Sequence, residues 1–347
     1  MQLSRERFPV GFGGTLLLSM CSSWIGNHSR HGHLDVVKLL LANGACVNSC
    51  LINGNTSLHV SSANGHESVV QHLLVHGAYV DVCNVYGVTP LHYAASNNHL
   101  AVGEILFHFH VFVDTRTAAG FTALHRAARH GHVNFADLLM GHGANVNAIN
   151  PAGFSVLHSA CNSAQVTMVD FLLVRGADPN TQMNDSGETP LINACVTGRL
   201  EILKLLLEKG ANPNGTNRSG RTPLHIGCVL GKTEAVHALL EAGGSLEAAD
   251  ETGKVAMDWA LMGEHSKIVD ILHIHRLCEL TGVSDVKIDP TVPCVLRYEC
   301  DLKSCVNTEQ TLGRILKICG SCRKKRYCSE ACQATDWKDH SLTCRAH

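Results

Sequence analysis

Aromatic residues make up only 5% of this 347-residue chain. A core built from it is therefore aliphatic. Charge of either sign is also thin: 17% of residues, with 28 Lys and Arg against 30 Asp and Glu. The missing basic excess argues against a general nucleic-acid binder. The low charge, set beside 45% hydrophobic residues, excludes a chain disordered by composition. No stretch approaches the roughly 18 consecutive apolar residues of a membrane span. An apolar run, Val10 to Met20, follows Arg5 and Arg7. Its basic start is weak and no small-residue cleavage site follows, which argues against a signal peptide. The expectation is an intracellular protein, cytoplasmic or nuclear, whose cysteines stay reduced. Also missing are a nucleophile with a partnered base, a phosphate-cradling loop and paired carboxylates at fixed spacing. Nothing in the sequence points to an enzyme.

What the chain does have is 23 His and 16 Cys. Many of the histidines fall into a repeat. Thr56-Ser57-Leu58-His59, Thr89-Pro90-Leu91-His92, Thr122-Ala123-Leu124-His125 and Ser155-Val156-Leu157-His158 recur every 33 residues. Thr189-Pro190-Leu191-Ile192, Thr222-Pro223-Leu224-His225 and a degenerate Val255-Ala256-Met257-Asp258 continue the series. A second marker, His33, His66, His99 and His132, follows ten residues after each start. A third is Gly-Ala-x-x-(Asn/Asp) from Gly77, Gly143, Gly176 and Gly210. Within one period, Leu58, Val60 and Ala63, then Val69, Val70, Leu73 and Leu74, mark two short apolar helical faces. Neither helix is long enough to stand alone, so stacking must bury them. Gly77 and its counterparts follow the second helix, where a left-handed cap favours a residue without Cβ.

This grammar resembles the ankyrin repeat. The resemblance covers residues 27–274, with seven complete units and a partial first; residues 1–26 form a divergent N-terminal segment. Ser22 to Ser29 reads as an insertion where the first helix of the first unit should be. In the third unit His110 replaces the capping glycine, which predicts a local irregularity that exposes Phe rings of Phe107-His108-Phe109-His110. The resemblance implies that Thr caps the first helix and that its partner imidazole bonds turn backbone. The second-marker His reads as surface turn chemistry. Cys83, Cys161, Cys195 and Cys228 read as small buried residues on helices. Ankyrin arrays bind protein partners on their hairpin tips and first helices. The residues there most like binding anchors are Tyr86, Tyr93, Phe121, Arg126, Arg129 and Phe154. Phe121 and Phe154 have an alternative reading, as packing against neighbouring tips.

After the last repeat the composition changes. Seven cysteines lie between Cys300 and Cys344, as Cys300-x4-Cys305, Cys319-x2-Cys322, Cys328-x3-Cys332 and His340-x3-Cys344. Eight donors suffice for two tetrahedral sites, and each short spacing lets one turn present two donors to one metal. Thiolate and imidazole suit Zn²⁺. Charge agrees: residues 300–347 carry nine Lys and Arg against five Asp and Glu, a surplus of four. Seven thiolates and two Zn²⁺ bring that to about +1.

Tyr327-Cys328-Ser329-x-x-Cys332-Gln333-x-x-Asp336-Trp337-x-x-His340-x3-Cys344 is similar to the MYND zinc finger. The resemblance implies two interleaved zinc sites, Cys300, Cys305, Cys328 and Cys332 for one, Cys319, Cys322, His340 and Cys344 for the other. The first pair departs from the commonest C-x2-C form, and Cys294 is an alternative donor there. A RING finger needs a C-x-H pair in the middle, which is absent. MYND fingers bind proline-rich P-x-L-x-P peptides. The implied contacts are Ser329, Gln333 and Trp337, on an aromatic face that suits a preformed extended peptide.

The reading is a mostly α fold: a helical repeat solenoid, a linker at 275–299 and a two-zinc finger at 300–344. Its function is that of a monomeric, non-enzymatic adaptor between two protein partners. One rival is a transcriptional or chromatin regulator acting through the finger, with Arg323-Lys324-Lys325-Arg326 as a basic contact. A MYND-containing SET methyltransferase is disfavoured, because repeats fill the chain where SET sequence would lie.

Overall fold

A computed structural model describes residues 24–281 and two short strands, β1 (Lys287–Ile288) and β2 (Tyr298–Glu299), paired antiparallel. The chain divides into two compact units, Met1–Ser219 and Gly220–His347. In the first unit helices come in pairs: α1 (24–30) with α2 (Leu34–Ala42), α3 (Ser57–Asn64) with α4 (Glu67–Val75), and α5 (Pro90–Asn97) with α6 (Leu100–His108). Then follow α7 (Ala123–His130) with α8 (Val133–Gly141), α9 (Val156–Asn162) with α10 (Val166–Val174), and α11 (Pro190–Thr197) with α12 (Leu200–Glu208). First helices pack on first helices, α3 on α5 on α7 on α9 on α11, and second helices form a parallel layer behind. The second unit holds α13 (Pro223–Val229), α14 (Thr233–Glu241), α15 (Ala256–Met262) and α16 (Ser266–Thr281). There α13 packs on both α14 and α15, and α16 on α14 and α15. Among the described residues no helix is long and apolar enough to cross a membrane.

The core is aliphatic, as the scarcity of aromatics implies. Leu58, Leu91, Leu124, Leu157, Leu191 and Leu224, one per repeat, are all buried. Burying a leucine contributes about 1.5–3 kcal/mol, so each short helix is held by its stack rather than by its own propensity. Phe135 on α8 is the exception, a fully buried ring. It fits because Gly103 faces it from α6: a Cβ there would lie 2.9 Å from the Phe135 ring. The neighbouring units place Val70 and Ala136 at the position of Gly103.

The Thr-x-x-His element does two jobs. Thr89 accepts a hydrogen bond from the backbone N–H of His92, capping α5. In return the Thr89 backbone N–H donates to His92 Nδ1 at 3.2 Å. With Nδ1 accepting, the proton sits on Nε2, which donates to the Phe121 carbonyl of the next repeat at 3.0 Å. His59 to Val88, His125 to Phe154, His158 to Glu188 and His225 to Lys254 repeat the bond at 2.9–3.2 Å. Burial holds His59, His92, His125 and His158 neutral, each pushed down to about 4. In the degenerate last repeat Val255 has no hydroxyl, and Asp258 alone accepts the Val255 N–H at 3.0 Å.

The second-marker histidines do more than shape a surface turn. His66, His99 and His132 each reach back 36 residues to a carbonyl of the preceding repeat, Arg30, Ala63 and Ser96, at 2.7–3.1 Å. His99 lies over Gly65, whose φ is +74° and where a Cβ would meet the imidazole at 2.5 Å. The Asn or Asp of the third marker ties tip to tip: Asn147 accepts from Asp178 N at 2.8 Å and donates to the Gly176 carbonyl at 3.1 Å.

Four expectations change. The first unit has its first helix: residues 24–30 are helical, with Ile25 and Ser29 fully buried. No insertion is needed, because Ile25 stands 33 residues before Leu58. The pattern was hidden because Gly26 occupies the histidine position. At His110 the backbone keeps the regular path and takes the strained left-handed conformation, φ +61°. Phe107 and Phe109 stay half-buried, Phe107 stacked on His142 at 3.8 Å, and the exposed ring is Phe112. Cys161, Cys195 and Cys228 are buried on first helices, but Cys83 is exposed in a tip loop. Finally, α16 continues past residue 274 to Thr281. Arg276 occupies the position of the capping glycine there, so no left-handed stop ends the helix.

Candidate functional site

Burial and periodic bonding leave few side chains of the first-helix layer available to a partner. The position two residues after the buried leucine reads Val60, Tyr93, Arg126, Ser159 and Asn193 along the first unit. Val60, Ser159 and Asn193 are buried, whereas Tyr93 and Arg126 are half-buried and carry large polar ends. Arg129, one turn on from Arg126, is exposed at the end of α7, where the helix dipole favours a cation.

Tyr93 is held in place. Its hydroxyl donates to Asn55 Oδ1 at 3.4 Å and accepts from Asn84 Nδ2 at 3.3 Å. Asn84 Nδ2 also donates to Asn55 Oδ1 at 2.8 Å, which locks two successive tips beneath the ring. The His59 and Tyr93 rings meet at right angles, centres 6.0 Å apart. Sequence reasoning missed Asn55 and Asn84. The position of Asn84 recurs as Asn150, Asn184, Asn217 and Asp250, which was the available signal there; Asn55 has no such recurrence.

Phe121 and Phe154 come together edge to face, ring centres 6.1 Å apart, and each also packs on its own repeat's histidine. Both are half-buried. The packing alternative therefore describes them, and what they offer a partner is the outer edge of a fixed pair. Tyr86 is the reverse case: the residue is 64% exposed on the tip that precedes α5. Its backbone is firmly set, with N–H bonded to Asn84 Oδ1 and carbonyl accepting from Ala118.

Arg126 feels its surroundings. Burial first, and then the Arg129 charge, lower its pKa from the ordinary guanidinium value, while Tyr93 opposes the shift. The structure thus brings Tyr93, Arg126 and Arg129 into one neighbourhood, with the Phe121–Phe154 pair on the adjoining tips.

In the second unit, Trp259 donates its indole N–H to Asp250 at 3.0 Å and carries the Arg221 guanidinium 4.1 Å from its ring centre. The Thr252 hydroxyl and then backbone N–H groups hold the Asp250 carboxyl well below the usual carboxylate range. This cluster closes the last tip and is structural.

No group of three or more His, Cys, Asp or Glu among the described residues is arranged to hold a metal. Cys300, Cys305, Cys319, Cys322, Cys328, Cys332, His340 and Cys344, the predicted zinc donors, lie outside the described residues, as do Cys294, Ser329, Gln333 and Trp337. Their donor chemistry, seven thiols and an imidazole at short paired spacings, fits Zn²⁺.

Comparison with known proteins places this geometry. A family described as ankyrin repeats (3 copies) matches residues 26–117, 109–183 and 157–250. A family described as MYND finger matches residues 303–344, a span that holds every predicted zinc donor except Cys300. Among solved structures, the ankyrin repeat domain of human ASB11 is 28% identical, with a TM-score of 0.58, over 64% of this chain and 98% of its own. The ankyrin repeat domain of Bcl-3, a member of the IkappaB family, is likewise 28% identical at a TM-score of 0.58, over 63% and 99%.

Proposed function

Because this chain belongs to the ankyrin-repeat family and ends in a zinc-binding MYND finger, both of them protein-interaction modules, we propose that it joins two protein partners without catalysing a reaction. The array holds one partner on its tips and first helices. The finger recruits a second through a proline-containing segment of the P-x-L-x-P kind, gripped by Ser329, Gln333 and Trp337. The observation that carries the reading is the pairing of an aromatic and basic patch, Tyr93, Arg126 and Arg129, with a second interaction module in one chain. Tyr and Arg dominate interface hot spots because they combine large contact area with directed polar groups.

The finger is a metal-made structure. Zinc bound there supplies a structural cross-link, and its ligands are two interleaved sets, Cys300, Cys305, Cys328 and Cys332 beside Cys319, Cys322, His340 and Cys344. A segment of about 45 residues buries too little surface to fold otherwise. The adaptor works as a monomer in the cytoplasm or nucleus.

Affinity capture with the intact chain, with Trp337→Ala and with a truncation after Glu299 tests the division of labour. Partners lost in both variants belong to the finger, and those kept by the truncation and lost on Arg126→Gln belong to the array. If every partner survives truncation, the finger does not recruit.

A further inference from the structure

The first-helix layer has an uneven charge that the repeat pattern does not require. Across α3, α5, α7, α9 and α11 there is no Asp or Glu, and the only Lys or Arg residues are Arg126 and Arg129. Among the seven other described arginines, Arg175 pairs with Asp137, Arg221 with Asp250 and Arg276 with Glu247, and the four without an ion pair, Arg30, Arg116, Arg199 and Arg218, are all exposed. Neither Arg126 nor Arg129 has an ion-pair partner among the described residues. Arg126 is also half-buried, so its charge is partly stripped of water with no anion in return. The head group keeps access to solvent, so an incoming carboxylate can reach it and would pair more strongly as the partner excludes water.

We propose that Arg126 anchors a single Asp or Glu side chain of a partner protein, on an extended segment that runs along α5, α7 and α9. This rests on the reading of the array as a partner-binding surface. The planar fork of one guanidinium matches one carboxylate bidentately. Tyr93 on one side and the Phe121–Phe154 pair on the other supply a partly apolar frame that strengthens the pair. Arg129, exposed one turn away, steers the acidic segment more than it binds it. The occupant is a separate protein. The chain's own C-terminal stretch, residues 300–347, has nine Lys and Arg against five Asp and Glu and so offers no acidic surplus to this cation.

The test pans a phage-displayed random dodecapeptide library against the full, zinc-loaded chain, in parallel with Arg126→Glu, Arg126→Gln, Tyr93→Ala and Trp337→Ala. Far-UV circular dichroism melts check that each variant folds; if Arg126→Glu does not, Arg126→Gln carries the comparison. The expected wild-type pool carries Asp or Glu at one fixed position. A synthetic peptide from it loses about tenfold in affinity on Arg126→Gln. Panning on Arg126→Glu selects Lys or Arg at the same position. Peptides lost on Tyr93→Ala but showing no fixed acidic position overturn the inference and leave array binding standing. A pool lost only on Trp337→Ala overturns both. Arg126-dependent binding of a duplex oligonucleotide, with no acidic peptide selected, also overturns it, in favour of nucleic acid.

Discussion

Lowering the pH from 7.5 to 5 is expected to destabilise the repeat array through its buried histidines. In the folded chain His59, His92, His125 and His158 are each depressed to about 4 by burial, against an ordinary value of 6.5. Protonation removes the Nδ1 lone pair that accepts the Thr or Ser N–H, so the folded form resists it. Between pH 6.5 and 4 the unfolded chain therefore binds protons that the folded chain does not. Stability from these groups is complete above pH 6.5 and is lost as the pH falls towards 4. At pH 5 each histidine costs about 2 kcal/mol relative to neutral pH. Four together give a slope of roughly 5 kcal/mol per pH unit for an unfolding step that spans all four repeats. Repeat arrays also unfold in parts, and a step that frees two repeats shows half that slope. The assay is urea unfolding followed by far-UV circular dichroism at pH 7.5, 6.5, 5.5 and 5, for the full chain and for His125→Gln. Glutamine keeps an acceptor for the Thr122 N–H and does not titrate. The variant should lose about a quarter of the pH slope. Every other titrating group is common to both proteins, so the difference isolates one imidazole. An unfolding midpoint that does not move between pH 7.5 and 5, or a wild-type slope in His125→Gln, refutes the reasoning.

Three further outcomes follow from the packing and the metal. Gly103→Val overpacks against Phe135 and should destabilise by about 1–3 kcal/mol, while Phe135→Val added to it should restore part of that loss, since the pair then resembles its neighbours; additive losses in a double-mutant cycle would show that the two do not share space. His110→Gly relieves a left-handed backbone at φ +61° and should stabilise by about 1 kcal/mol in urea titration; a lower midpoint counts against strain there. Chelation with excess EDTA should collapse the NMR chemical-shift dispersion of the C-terminal cysteine segment and leave the array's far-UV signal intact, because structural zinc in small fingers supplies on the order of 10–16 kcal/mol; dispersion that survives chelation means the segment folds without metal.

Most of the fold could be read from four letters per repeat because each has one physical duty. Thr caps, Leu fills the core, His bonds two backbones and Gly turns left-handed. The reading failed where a duty passed to another residue or lapsed. Gly26 hides the first helix because it cannot make the histidine's bonds, although Ile25 keeps the leucine's place. Arg276 lets α16 run on because nothing there favours a left-handed stop. His110 shows the opposite: the stack on both sides holds the backbone to the common path against local preference. Cys83 was misread because composition cannot tell a tip loop from a helix, whereas Cys161, Cys195 and Cys228 share one helix position and one fate.

The partner surface was legible only as a set of residue types, since exposure and pairing depend on neighbours from other repeats. Phe121 and Phe154 turned out to spend much of their surface on each other. The stronger signal was an absence that needed the helix boundaries to be seen. Five first helices carry no carboxylate, and in one of them two arginines have no ion-pair partner among the described residues. Positions that hold the lattice together repeat from unit to unit, because every unit needs the same bonds. The position of Tyr93 and Arg126 does not repeat: it reads Val, Tyr, Arg, Ser and Asn along the stack. A lattice indifferent to a position leaves it free to be set by something outside the lattice. Here that freedom places a half-buried cation with no ion-pair partner among the described residues, at the place where the proposed acidic side chain would dock.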